Sequence, residues 1–497
     1  MNVLEPIQRV AAAMPRMPAL ITDDWNLNYA QLWRLFGRIA WHLVREGVEP
    51  GQCIVVGNMS LEANIMVRMA AAYVGASAVG APVDLPAPTL EHFFRTTSPV
   101  LWVTSEAPRL QTLEIRVVTP NVLFEELPAD AQPPELLTGL AQAAWKIVTT
   151  SGTTGDKKLV PATHGQFAAM QRASLDAYPT GPGERFYVLM GMVGISFGHI
   201  FRHFAAGATV LMSRQARGEA IAERIARDAP NRILSSPANM EALVDYLVRS
   251  DLKASGRSLS EILIGGGVVR PKLRQQIAMR LCPNIVVVYG STEAGTLAKL
   301  DVSTYLESPR SAGRLVPSVE AQCVDDDDRP LPHGQVGRLR LRSPGMADQY
   351  LGEPQATAEA FRGGWFYPGD RASIDDKRVL TLAGRADDLL NIGGVKFDPL
   401  LVEAALNSHP GFADSAATLV SMPDGREVIA LLVIRAQEAP LPEPQEIRDY
   451  IAREYVDLYR TPVVVPVNAL PRNPAGKLDR NRVRQIAAAA AAKADAP

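Results

Sequence analysis

The chain has 497 residues, a formal net charge of −2 from 51 Lys and Arg against 53 Asp and Glu, and 47% hydrophobic residues. That length exceeds one ordinary domain and supplies a large core, while the balanced charge argues against a nucleic-acid binder. The three scattered cysteines, Cys53, Cys282 and Cys323, exclude a disulfide framework or zinc cluster and point to reduced thiols in a cytoplasmic setting.

The start, Met1 to Pro6, lacks the basic-then-apolar pattern of a signal peptide. Asn28 to Glu46 carries Leu32, Leu35, Phe36, Ile39 and Leu43 at helical spacing, with Asn28 as N-cap. A strand at Ile54-Val-Val56 and a helix from Leu61 to Tyr73 follow. The apolar stretch from Ala63 to Val83 comes closest to a membrane span but carries Arg68, so no span is expected. Ala143 to Val148 reads as a buried strand and Thr163 to Tyr178 as a helix. Further strands are predicted at Leu101–Val103, Phe186–Met190, Thr209–Met212, Ile262–Ile264 and Ile285–Val288, with helices such as Ala220–Asp228 and Met240–Val248 between them. Such alternation means parallel sheets covered on both faces.

From Gly313 to Leu382 short strands and Gly/Pro turns predict a small β-rich lobe. Asp325 to Asp328 reads as a solvated acidic turn rather than a metal site. A boundary near Arg385 divides an N-terminal domain, 1–385, from a mobile α+β domain, 386–490. In the latter a helix is expected near Leu400–Asn407 and strands near Ala416–Val420 and Val428–Val433. The alanine-rich end is expected to fray, with 491–497 disordered.

Five runs carry chemistry. Thr149 to Lys158, Thr-Thr-Ser-Gly-Thr-Thr-Gly-Asp-Lys-Lys, combines glycines, hydroxyls and lysines on what reads as a strand-to-helix turn. Glycine lets backbone N–H groups approach phosphate oxygens, the hydroxyls donate, and a lysine neutralises charge. A plain polar surface turn is the alternative, and Walker-loop spacing is absent. In Val286 to Gly295 a buried strand ends in Tyr289, Gly290, Ser291, Thr292 and Glu293, at the crevice beyond a parallel strand where ligands bind. The alternative there is a capped helix start. Gly363 to Asp370 delivers one carboxylate from a Gly/aromatic turn. Gly384 to Gly394 adds Arg385, Asp387, Asp388 and a glycine pair, and Leu470 to Arg480 places Lys477 on a Pro/Gly loop.

In this order the five runs resemble the acyl-adenylate-forming superfamily: acyl-CoA ligases, peptide-synthetase adenylation domains and firefly luciferase. The likeness spans Leu27 to Arg480. It implies that Thr150, Ser151, Gly152, Thr153, Thr154, Gly155 and Lys158 cradle the β- and γ-phosphates of ATP. Gly265, Gly266, Gly267 and Tyr289, beside Gly290 and Ser291, would hold adenine. Thr292 would take the α-phosphate, Glu293 the Mg²⁺, and Asp370 and Arg385 the ribose. Asp387 would be the hinge, Gly393 and Gly394 would line the pantetheine of CoA, and Lys477 would bind the reacting carboxylate and phosphate. Met190, Met192 and Gly194 would border the acyl group.

The resemblance implies an ATP-dependent carboxylic acid–CoA ligase. Gly194 stands where amino-acid-activating relatives carry an amine-binding Asp, so an apolar acid, fatty or aryl, is expected. An acyl carrier protein is the alternative acceptor, a nucleotide-binding regulator without turnover the alternative function, and a homodimer an open possibility. Two departures stand out. Lys157 occupies a usual proline position, and Arg338 a usual glutamate position.

Overall fold

The computed structural model describes the chain except for residues 81–86, 107–114, 151–157, 192–193, 215–216, 253–257, 268, 386–389, 393–394, 398, 423–426, 437–439, 455–461, 473–477 and 495–497. Local signals placed most helices where the periodicity predicts. The helix Tyr29–Arg45 starts at Asn28, whose side chain accepts from Gln31 N while the Gln31 side chain accepts from Asn28 N. This reciprocal cap satisfies two N–H groups that a helix start leaves open. Tyr29, fully buried, then donates from its hydroxyl to Ala208 O (2.7 Å), tying this helix to the chain entering the strand Thr209–Met212.

Two sheets organise the first 385 residues. The six-stranded one runs, in spatial order, 116–118, 101–103, 53–56, 77–80, 144–149 and 159–163. The larger one has fifteen strands. Its parallel part includes 209–212, 185–189, 232–235, 261–265 and 285–291, with registers such as Leu263↔Val286 and Leu234↔Val188. Those strands are near-continuous runs of buried residues because helices cover both faces. The predicted β-rich lobe is the antiparallel continuation of the same sheet, joined through 295–300, 313–315 and 379–385.

Two local expectations are corrected, and one departure finds its partners. The glycine- and threonine-rich loop joins two antiparallel strands, Ala144–Thr149 and Leu159–Thr163, and the helix His164–Leu175 begins only after the second. Pro161 is tolerated there because that strand is the edge of its sheet. The alanine-rich end is the helix Arg480–Ala494, with Val483, Ala487 and Ala491 buried together at helical spacing in a cluster with Ala416, Ala430 and Leu432. Small side chains allow a helix to lie close on a sheet, so alanine here is packing rather than fraying. Arg338 donates to Asp325 O (2.7 Å) and Asp328 Oδ1 (3.1 Å), so the arginine at the glutamate position clamps the acidic turn.

The C-terminal segment carries a three-stranded sheet of 412–421, 427–435 and 463–466 and a two-stranded pair of 390–392 and 395–397. Glu403 accepts from Arg480 at the root of the last helix, with both side chains largely buried. Among the described residues no helix is long and apolar enough to cross a membrane.

Packing also fixes protonation. His164 Nδ1 accepts from Val3 N (3.1 Å), which demands the neutral ring, and Nε2 is buried without a partner. Burial, then the nearby chain amino group, holds its pKa down to about 4. A histidine depressed below its unfolded value of about 6.5 contributes stability that is complete above that value and drains as pH falls toward the folded value. Urea midpoints are therefore expected to fall between pH 6.5 and pH 4. His164→Gln, which keeps an acceptor for Val3, should flatten part of that slope. The buried His199 and His203, also held well below the usual range by burial, should retain the rest. An unchanged slope would show that His164 does not carry this linkage.

Candidate active site

The site grows from one strand. Ile285-Val-Val-Val288 pairs in parallel with 261–265, and that pairing ends at Gly265↔Val288. Tyr289, Gly290 and Ser291 continue past the neighbour's carboxyl end, held on the strand's other edge by antiparallel pairing with 295–300 that begins at Val287, with a register break between Tyr289 and Gly290. This turn excludes the helix-start alternative. Gly290 is required by close approach, since a Cβ there would lie 2.3 Å from Gly295 O. Ala294 N donates to Ser291 Oγ (3.2 Å), closing the turn through Thr292 and Glu293.

Two contacts define what the turn presents. Glu293 is 8% exposed, and its carboxylate accepts from the Tyr350 hydroxyl at 2.8 Å. The Lys158 ammonium lies over the Tyr350 ring, 4.9 Å from its centre. Tyr350 thus joins the lysine after the glycine-rich loop to the carboxylate after Tyr289. It was missed from sequence because a lone aromatic on a Gly/Pro-rich segment carries no motif. On the other side, the Tyr289 hydroxyl donates to Asp370 Oδ2. Asp370 is paired across the sheet with Arg385, which places the two residues expected at ribose side by side.

The loop residues Ser151, Gly152, Thr153, Thr154, Gly155 and Lys157 lie outside the described residues, but both ends of the loop are in place. Thr150 N donates to Lys158 O (2.9 Å) and Lys158 N to Thr150 Oγ1 (3.2 Å). Gly265, Gly266 and Gly267 follow their strand at the same edge. Gly266 has φ +87°, and a Cβ on Gly265 would lie 2.8 Å from Ile195 Cδ1. Met190 is buried at the end of its strand, and Gly194 opens the helix Gly194–Ala205. Met192, Asp387, Gly393, Gly394 and Lys477 lie outside the described residues. Arg472 and Leu478, which bracket the Lys477 loop, form a bridge. Arg472 Nη2 also reaches Asp414 Oδ2 (2.7 Å), while Asp414 Oδ1 lies 3.8 Å from Arg270, shortly after Gly267.

Glycines that leave backbone open, a buried carboxylate, hydroxyls and a lysine suit a nucleoside triphosphate with Mg²⁺. Among the described residues no group of three or more His, Cys, Asp or Glu converges. A single carboxylate fits an ion held mainly by phosphate oxygens and water, as Mg²⁺ usually is.

Family comparison matches residues 7–351 to the AMP-binding enzyme family and residues 401–477 to the AMP-binding enzyme C-terminal domain. The chain is 27% identical to the fatty acid–[acyl-carrier-protein] ligase ScoC of Streptomyces coeruleorubidus, over 95% of this chain and 93% of that protein. It is 27% identical to an indoleacetate–CoA ligase of Aromatoleum aromaticum, over 98% of each. The fold matches the O-succinylbenzoate coenzyme A synthetase of Bacillus subtilis, solved with ATP and a magnesium ion. The TM-score is 0.83 at 21% identity, covering 96% of this chain and 98% of that one.

Two substitutions separate ion binding from positioning. Glu293→Gln is expected to raise the Mg²⁺ concentration needed for half-maximal pyrophosphate release and to lower its rate. Tyr350→Phe keeps the carboxylate but removes one hydrogen bond to a charged group, and should lower the rate by about tenfold. Steady-state pyrophosphate assays across a Mg²⁺ series read both. Equal, wild-type Mg²⁺ curves for the two variants would remove Glu293 from the ion site.

Proposed function

Because the chain belongs to the AMP-binding enzyme family, we propose that it activates an apolar carboxylic acid, fatty or aryl, with ATP and transfers the acyl group to CoA. It is an AMP-forming acid–thiol ligase by type. The observation that supports this reading best is the chain of contacts Lys158–Tyr350–Glu293 on the hairpin that also presents Tyr289 to Asp370. One crevice edge thereby offers a cation for phosphate, a carboxylate for Mg²⁺ and an aromatic–acid pair for a nucleoside.

A carboxylate is a poor electrophile, since its leaving group would be oxide. One carboxylate oxygen attacks the α-phosphorus of ATP, the bond to the bridging oxygen breaks, and pyrophosphate departs from an acyl-AMP anhydride. A thiol sulfur then attacks the acyl carbon, AMP leaves with the C–O electron pair, and the thiol proton passes to solvent. The work of the chain is positioning and charge compensation. Thr150, Ser151, Thr153, Thr154 and Lys158 hold the outer phosphates, and Thr292 the α-phosphate. Glu293 would hold Mg²⁺, which supplies further compensation as two anions meet. Tyr289 and Gly265 to Gly267 hold adenine, while Asp370 and Arg385 hold the ribose. Met190, Met192 and Gly194 border the acyl group. The absence of an acid at Gly194 leaves an ammonium unpaired and disfavours α-amino acids.

The second step needs a different arrangement. Gly393 and Gly394 guide the pantetheine, Lys477 serves only the first step, and the domain after Arg385 turns about Asp387 between them. The likeness to ScoC keeps a carrier-protein phosphopantetheine as the second acceptor reading. Comparing free CoA with a phosphopantetheinylated carrier protein, using the acid chosen by a pyrophosphate-release screen, separates the two.

In that screen fatty and aryl acids should outpace every free α-amino acid; an amino acid at the top would sink the substrate reading. Lys477→Ala should slow acid-dependent pyrophosphate release by roughly 10²–10³-fold, the scale for one preorganised donor. Thioester formation from synthetic acyl-adenylate should continue at nearly the wild-type rate. Normal pyrophosphate release combined with lost thioester formation would reverse the role given to Lys477.

A further inference from the structure

Two polar side chains near the start of the helix Gly194–Ala205 have no use in the chemistry above. Lys146 lies on the strand Ala144–Thr149, with its ammonium 4.4 Å from the centre of the Phe167 ring, 5.6 Å from Trp145 and 5.7 Å from Phe197. No carboxylate among the described residues pairs with it. Among the described residues the nearby cation Arg68 is bound only by neutral groups, Asn64 Oδ1 (2.7 Å) and Ala78 O (3.3 Å). Burial first, and the charge of Arg68 second, lower the pKa of Lys146 to about 7. An ammonium among three rings beside a second cation is costly unless an anion or acceptor joins it.

Gln171 is the second group. Its amide oxygen is buried and has no hydrogen-bond partner. It lies one helical turn beyond Phe167 on the helix His164–Leu175 and faces Gly198, the neighbour of Phe197. A Cβ on Gly198 would meet only the Gln171 amide nitrogen, at 3.5 Å, an ordinary contact. Alanine would therefore fit and would favour the helix. The missing methyl leaves room between the helices.

This space adjoins the nucleotide end. Ile195 and Phe197 both lie in the first turn of the same helix, Ile195 touching Gly265 and Phe197 packing on Trp145 and Phe167, so a single turn spans the two. We propose that Lys146 and Gln171 determine specificity at the far end of the acyl pocket, selecting acids whose apolar body ends in an oxygen function, a hydroxyl or a second carboxylate. The assignment rests on the ligase reading above. A hydroxyl would accept from Lys146 and donate to the Gln171 oxygen; a carboxylate would accept from the ammonium and from the amide nitrogen. Either would satisfy groups that the fold leaves open, and a plain hydrocarbon end would leave them unpaired.

The test uses matched acids: benzoate against 3- and 4-hydroxybenzoate, and hexanoate against adipate. Wild-type kcat/KM for pyrophosphate release should favour the oxygenated member of at least one pair by tenfold or more. Lys146→Met and Gln171→Leu should each cut that ratio about tenfold while changing the plain member less than threefold. The carboxylate pair should depend chiefly on Lys146 and the hydroxyl pairs on both residues. Thermal unfolding should show both variants folded, because each replaces an unsatisfied polar group by an apolar one. Quenching of Trp145 fluorescence reads binding without turnover, with Trp145→Phe as control. Preferential binding of oxygenated acids without pyrophosphate release would uphold this assignment and overturn the ligase reading. Preference for the plain acid in every pair, or unchanged ratios in both variants, would overturn the assignment, as would the absence of preferential binding where no acid turns over.

Discussion

A strand that outruns its parallel neighbour must find other partners for its backbone, and the structure of this site follows from how that need is met. Beyond Val288 the strand has no parallel partner in Glu261–Gly265, and the extension is held from its other edge, where Gly295–Leu300 pairs antiparallel from Val287 onward. The fold-back needs glycine at 290 and a tight turn through Thr292 and Glu293. Once the turn exists, Glu293 is drawn inward to Tyr350, and Tyr289 is left at the edge to reach Asp370. The antiparallel extension also gives the β-rich lobe a sheet edge to join, which carries Asp370 and Arg385 to the crevice.

Among the described residues the C-terminal segment meets Arg270 at two adjacent points, the Ala413 carbonyl and the Asp414 carboxylate. Asp414 faces Arg270, near the glycine segment, and Arg472, at the root of the Lys477 loop. Partly exposed ion pairs of this kind contribute little each, so the contact orients the segment without locking it. A polar junction of this kind would suit the two successive arrangements proposed for the reaction.

Polar groups set wholly or partly inside the fold differ in how far the fold meets them. Glu403 is engaged by Arg480 and also accepts from Ala417 N, and the pair sits inside the C-terminal segment as a structural joint. His203 Nδ1 meets His199 O (2.7 Å) while its Nε2 has no hydrogen-bond partner among the described residues, and burial keeps the ring neutral. Lys146 and Gln171 differ, since neither charge nor amide oxygen is met by an opposite group among the described residues. A low-dielectric environment makes such groups expensive, which is why they are read as groups awaiting a partner at the far end of the proposed acyl pocket.

Sequence alone was enough for many of the helices and strands, because amphipathic period and caps act locally: Asn28 and Gln31 form their box whatever surrounds them. It also exposed the motifs around Thr149–Lys158, Tyr289–Glu293, Gly364–Asp370 and Gly384–Asp388, since glycine turns and clustered polar residues are costly in a core and stand out along the chain. The second strand after the glycine-rich loop was hidden because Leu159-Val-Pro-Ala-Thr163 is short and carries a proline, which only an edge position tolerates. The alanine-rich end was misread because alanine signals helix without saying against what; its burial depends on a sheet far away in the chain. Which side chains meet was decided by tertiary structure alone: Tyr350 with Glu293 and Lys158, Arg338 with the acidic turn, and Gln171 with the open face of Gly198. Those meetings join residues from separate elements, and no local pattern encodes a distance that only the packed sheets and helices set.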